Sequence, residues 1–345
     1  MELNFYLAFE ILVITSFLLI FSRAAYQKNR QTVFELLAAF AFGLLLEIVN
    51  IYFSHSYYYS EQFLLKIFDV PMVIGMGWAV IIYSAMLLSD QYRISWTIKP
   101  IFDAFTALIL DLSMDTVAIR LHFWNWKIPL DQEWYGVPFE NLFGWIAIVF
   151  IFSFIIRFIR TLSPKRFLTK ILQCLSPLIA YVLLFFGLML FLTLAIMPFQ
   201  INYLGDWSHL LNLYSREDFS ILYNPQVQFW KMIILIILVV EMINIMAYKV
   251  LRSKNIIQWR FDILSFSILT AMHLFFMISL IVTNIYQTLP FLLFIAFFMF
   301  LIHLALHFAP LFLQKEKHIY FFRRMSPQII KTKKQIETII ESNLK

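Results

Sequence analysis

The sequence predicts an all-α fold, a polytopic transmembrane helical bundle of about nine spans, with eight as the alternative count. Three observations carry this. Of 345 residues, 61% are hydrophobic and only 14% charged, whereas a soluble domain carries roughly 25% charged residues and could not cover its surface with so few. Apolar runs of about 20 residues, the length that crosses a bilayer as a helix, recur from end to end. Lys and Arg gather in alternate connecting segments, the bias that orients helices across a membrane.

The spans fall at residues 4–22, 33–53, 68–89, 100–119, 140–159, 177–198, 229–248, 262–283 and 289–309. The first lacks a basic leader and reads as a span, not a cleavable signal. With the N-terminus outside, the inside segments hold 22 of the 27 Lys and Arg, and the outside ones only Lys66, Arg120, Lys127, Arg216 and Lys231. This alternation predicts a cytoplasmic C-terminus, and the expected location is the inner (plasma) membrane of a prokaryotic cell. Because the basic residues follow the loops, the net charge of +6 signals a lipid bilayer as partner and no nucleic acid. A single cysteine, Cys174, excludes a disulfide framework and Cys-based metal sites.

The chain divides by chemistry into residues 1–160, a five-span half with the intramembrane carboxylates and five of the seven glycines, and 161–313, a four-span apolar half. Residues 314–345 form a basic tail suited to the anionic cytoplasmic leaflet. Ionisable groups inside a membrane are costly, which makes them candidate functional residues. The fourth span carries three. Asp111 and Asp115 are four apart and share a helix face, and Asp103 lies two turns earlier, displaced about 80°. They form either an acid/base site or an interhelical hydrogen-bonding seam. Glu47 and Asn50 in span two, Asp69 before Pro71, and Asn141 fall at the depth of the Asp111–Asp115 pair. The loop between spans four and five holds Trp124, Trp126, Trp134 and Tyr135, then Gly136 and Pro138, with Trp145 just beyond. Such rings are an interfacial belt, or the lining of a cavity that faces a carbocation.

Glu47, Asp103-Ala, Asp111-Leu-Ser-Met-Asp115-Thr-Val-Ala, Trp124-Asn-Trp126 and Tyr135-Gly-Val-Pro138-x-x-Asn141-x-x-Gly144-Trp145 together resemble the carotenoid biosynthesis membrane protein family. That family includes carotenoid 1,2-hydratases and bisanhydrobacterioruberin hydratases. The resemblance covers residues 30 to 160, and Thr116 stands where the family usually has proline. It implies addition of water to the terminal C=C (the ψ-end group) of an acyclic or monocyclic carotenoid, with no cofactor and no metal. Protonating such an alkene needs a strong acid, and a carboxyl group kept from water beside a second carboxylate can hold its proton near neutral pH. A second carboxylate accepts the proton of the attacking water. Asp111, Asp115, Glu47, Asp69 and Asp103 are the candidate catalytic residues. Trp124, Trp126, Tyr135, Asn141 and Trp145 are the candidate substrate-binding residues.

Other functions remain open at this stage. A transporter or lipid-binding membrane protein would use the same carboxylates as a proton relay. A carotenoid or isoprenoid cyclase would share the acid but exclude water. A prenyltransferase would need a second Asp-rich motif for Mg²⁺ and diphosphate, and Asp262 stands alone in the second half. His303 and His307 imitate one fragment of a membrane di-iron site, but seven scattered histidines are too few for one.

Overall fold

In a medium without water, every backbone N–H and C=O must be bonded within its own segment, so each long apolar stretch becomes a helix. The computed structural model describes residues 4–162, 167–196, 224–252 and 261–310. The predicted basic tail lies outside the described residues. The long helices are α1 (Phe5–Tyr26), α2 (Arg30–Val49), α3 (Met72–Asp90), α4 (Lys99–Arg120), α5 (Phe139–Thr161), α6 (Phe167–Ile196), α7 (Pro225–Arg252), α8 (Ile263–Val282) and α9 (Pro290–Pro310). Asn4, Asn29 and Asp262 cap α1, α2 and α8 by accepting a backbone N–H three residues on.

Among the described residues, eight of these helices are long and apolar enough to cross a membrane. The ninth, α4, is as long, with 22 residues, but carries three carboxylates. The bundle accommodates it by placing it at the centre, against α3, α5, α7 and α8, with 18 of its 22 residues buried. The chain is therefore an integral membrane protein, a polytopic helical bundle whose most polar span is sheltered by the apolar ones.

Helices α2 and α3 approach closely because glycine lets them. A Cβ on Gly43 would sit 2.7 Å from Trp78 Cβ, and one on Gly75 would sit 2.6 Å from Leu44 Cγ. On the other side of α2, Phe42 stacks on Phe152 of α5, both fully buried, with ring centroids 5.0 Å apart.

One end of the bundle is bound by charge. Arg157 reaches Asp90 at 2.6 Å, Ser89 at 2.7 Å and Asp103 at 3.0 Å, joining α3, α4 and α5. Arg160 grips Glu35 of α2 through two hydrogen bonds of 2.6 and 2.9 Å. Arg23 holds Asp262 in the same bidentate way, tying α1 to α8.

The other end is built from loops. α2 ends in a π-helical turn, Asn50–Ser54, and His55 follows in the left-handed region. Strand β1 (Tyr57–Tyr59) then pairs antiparallel with β4 (Trp124–Trp126), setting Tyr57 opposite Trp126 and Tyr59 opposite Trp124. Between them lies the hairpin β2 (Lys66–Ile67) and β3 (Val70–Pro71), whose turn residues Phe68 and Asp69 both have positive φ. That two-residue turn, the type favoured in hairpins, moves the start of the third span from the predicted 68 to 72. At the sixth span the shift runs the other way. Pro177 lies inside α6, which begins ten residues before the predicted start.

Candidate active site

At the loop end, seven helices and the β1–β4 ribbon line a cavity of about 190 Å³, somewhat larger than the roughly 150 Å³ apolar cavity that takes up a benzene ring. Its polar groups lie together toward the ribbon. Its deeper wall is apolar, formed by Ile81 of α3, Ile148 of α5 and Leu184, Phe185 and Leu188 of α6. Tyr181 of α6 adds one hydroxyl there.

Glu47 comes from the last turn of α2, one turn after Gly43, so the close α2–α3 approach brings it against Trp78. Trp78 Nε1 donates to one carboxylate oxygen at 2.7 Å. The hydroxyls of Tyr57 and Tyr59 donate to the other, Tyr59 at 2.8 Å. Alternation along β1 puts both tyrosines on one face of the ribbon and Tyr58 on the exposed one. Burial and the Glu47 charge push the Tyr59 hydroxyl well above the ordinary phenol range, so it remains a donor. A carboxylate offers about four lone-pair positions, and three donors occupy most of them.

Asp115, from α4, lines the same cavity and accepts from Asn141 Nδ2 at 2.5 Å. Asp111 lies one turn back, fully buried, and interacts electrostatically with Asp115. Among the described residues, neither Asp111 oxygen has a hydrogen-bond donor. Two carboxylates are acceptors only, so contact between them is a hydrogen bond only when one carries a proton. Rings close the cavity. Trp124 and Trp126 enter from β4, and Trp145 of α5 packs on Trp78 with centroids 4.4 Å apart.

The structure thus brings together Glu47, Asp115, Asn141, Trp124, Trp126 and Trp145, with Asp111 directly behind. Three other predicted residues lie elsewhere. Asp103, eight residues from Asp111 and so about 12 Å away along the helix, is paired with Arg157 and Ser153 at the opposite end. Asp69 sits in the β2–β3 turn and accepts from Tyr52 at 3.1 Å. Tyr135, at φ 51°, packs on Trp134 in the α4–α5 loop while its carbonyl accepts from Arg120 at 3.0 Å. Gly136, at φ 88°, turns that loop where a Cβ would be 2.9 Å from Leu130 Cα. Sequence reasoning missed Tyr57, Tyr59 and Trp78 as partners of Glu47, and α6 as a wall of the cavity. The only signal for the tyrosines is the alternation in Tyr57-Tyr58-Tyr59.

Among the described residues, no group of three or more His, Cys, Asp or Glu is arranged to hold a metal ion. His303 stacks on Phe266 and bonds Thr270 at 3.0 Å, and His307 meets Phe261 edge-on, in a buried contact between α8 and α9.

Carotenoid biosynthesis proteins have a family model that matches residues 5–204, more than half of the chain. The chain belongs to this family. A bisanhydrobacterioruberin hydratase from Haloarcula japonica is 30% identical over 133 residues, which is 37% of this chain and 42% of that protein. The match therefore spans less than half of that relative. No solved structure matches. The matched family region contains all the predicted site residues and α6, whereas α7 to α9 lie beyond it.

Proposed function

We propose that this carotenoid biosynthesis protein is a cofactor-independent hydratase, adding water to the terminal C=C of an acyclic or monocyclic carotenoid end group. The observation that carries the proposal is the convergence of Asp115, backed by Asp111, a separately held Glu47 and four tryptophans on one largely apolar cavity. The hydratase named among its relatives supports the same reaction class.

The chemistry divides among these residues. Asp115, sharing a proton with Asp111, protonates the less substituted alkene carbon and leaves a tertiary cation on its neighbour. Glu47, an acceptor from three donors, is the fixed anion facing that cation. Trp78, Trp124, Trp126 and Trp145 present ring faces to it, each worth roughly 2 kcal/mol in a desolvated site. Since about 1.36 kcal/mol is tenfold in rate, two such contacts made only in the transition state contribute several hundredfold. Water then captures the cation. The apolar wall of α3, α5 and α6 suits the polyene chain. The gathering of basic residues in alternate loops supports an orientation with this end of the bundle outside and the C-terminus in the cytoplasm.

A prenyltransferase reading is disfavoured because Asp262 is already bound to Arg23. The test is expression in cells that accumulate lycopene, grown in H₂¹⁸O, with pigments analysed by mass spectrometry. A carotenoid heavier by one labelled water is expected. An isomer of unchanged mass points to cyclisation, and unchanged pigment beside membrane-inserted protein contradicts the proposal.

A further inference from the structure

The buried charge that the reaction above leaves unused lies at the cavity rim. Glu140, in the first turn of α5 beside Asn141, lines the cavity. Its Oε1 accepts from Lys231 Nζ at 2.7 Å, while its Oε2 is buried and makes no hydrogen bond among the described residues. Lys231 comes from α7, beyond the family-matched region, and its side chain is wholly buried. It also donates to Glu133 of the α4–α5 loop at 2.6 Å, and Glu133 in turn accepts the Phe139 N–H. One ammonium thus serves two carboxylates. Burial and the Glu140 charge, outweighing Lys231, push Glu133 up to about 7. A buried acceptor without a donor is costly, and this one lies on the residue that borders the reaction space.

We infer that Glu140 is a further catalytic residue, whose Oε2 holds the attacking water and takes its proton, with Lys231 as the positioning residue that fixes the carboxylate. The inference rests on the hydratase reading. In the balanced step, the alkene π pair takes the Asp115 proton, and a water lone pair forms the C–O bond to the cation. The proton released from that oxygen passes to Glu140 Oε2, and its return to Asp115 through solvent restores the site. The net change is alkene plus water to alcohol. Glu47 is less suited to this task because three donors already occupy it. In Glu140 one oxygen is held by Lys231 and the other, buried, has no donor among the described residues.

The two half-reactions can be read separately in liposomes containing full-length protein and lycopene in D₂O. Without water capture, the cation returns its proton or loses another from an adjacent carbon, leaving deuterated or isomerised carotenoid of unchanged hydration. For Glu140→Gln, hydrated product falls about 100-fold while deuterium still enters recovered carotenoid at the wild-type rate. Lys231→Met shifts the products the same way, and Lys231→Arg restores part of the hydration. Glu140→Asp, which keeps the carboxylate, retains measurable hydration and serves as the arm that does not depend on the Gln variant folding. Hydration and deuterium lost in proportion in Glu140→Gln, or hydration unchanged, overturns the inference. Wild-type protein giving neither deuterium nor alcohol overturns the hydratase reading, and this step with it.

Discussion

At the scale of single residues, the site depends on which carboxylate has donors and which has none. Glu47 has three donors and Asp111 has none, although both are buried carboxylates of the same half. Trp78→Phe removes one of those donors while keeping a ring in place. A hydrogen bond to a charged group is worth about 1.5–3 kcal/mol, so product formation should fall roughly 10- to 100-fold at an unchanged protein level in the membrane. Unchanged turnover in Trp78→Phe membranes would mean that Glu47 plays no part in cation stabilisation. That Asp111 and Asp115 lie together was legible in the sequence, because four-residue spacing puts them on one helix face. The donors of Glu47 were not, because they come from a strand and from a neighbouring helix. Spacing along one segment says nothing of what packs across from it.

At the scale of elements, α4 carries two kinds of carboxylate. Asp103 shares its helix with the acid pair but belongs to the charged network of Arg157, Asp90 and Ser89. Arg157→Met leaves Asp103 buried without its cation, which typically costs about 3–5 kcal/mol. The variant is expected to unfold at markedly lower temperature in detergent while the folded fraction hydrates normally. A full melting temperature, or a specific loss of turnover, would assign Asp103 to the chemistry after all. The α1–α8 tie has a pH signature. Burial alone would raise Asp262, but the Arg23 hydrogen bonds and the Ser265 N–H hold it below the ordinary value of 3.8. Its stabilising contribution is thus present above that pH and disappears as pH falls through the depressed value. Arg23 is partly exposed, so the effect is screened and modest. Melting curves of wild type and Asp262→Asn should converge as pH falls through the depressed value, and curves that stay parallel as pH is lowered would show that the pair contributes nothing. Helix positions were readable from hydropathy, but their ends were not. Pro177 sits inside α6, and the Phe68–Asp69 turn delays α3, since local turn geometry competes with apolar length.

At the scale of the whole molecule, eight of the described helices are apolar, and four of them pack around α4, which could not face lipid by itself. The sequence made the polytopic helical bundle legible, because each long apolar run must become a helix in a bilayer. It did not reveal that α6 and α7, from the apolar half, reach the site. Lys231 reads as one of five stray basic residues on the outer side until α7 is seen to deliver it to Glu133 and Glu140. Orientation is open to direct measurement. In a Cys174→Ser background, Glu61→Cys should react with an impermeant maleimide on intact cells, and Ser95→Cys only after permeabilisation. The reverse pattern would invert the topology. The central claim is that Asp115, backed by Asp111, protonates a carotenoid end group in the loop-end cavity. The most direct measurement compares wild type, Asp115→Asn and Asp111→Asn in lycopene liposomes, each scored for product heavier by one water per folded protein. Wild type should form it, and each variant should lose about 10²- to 10⁴-fold. Wild-type rates in both variants would contradict the account.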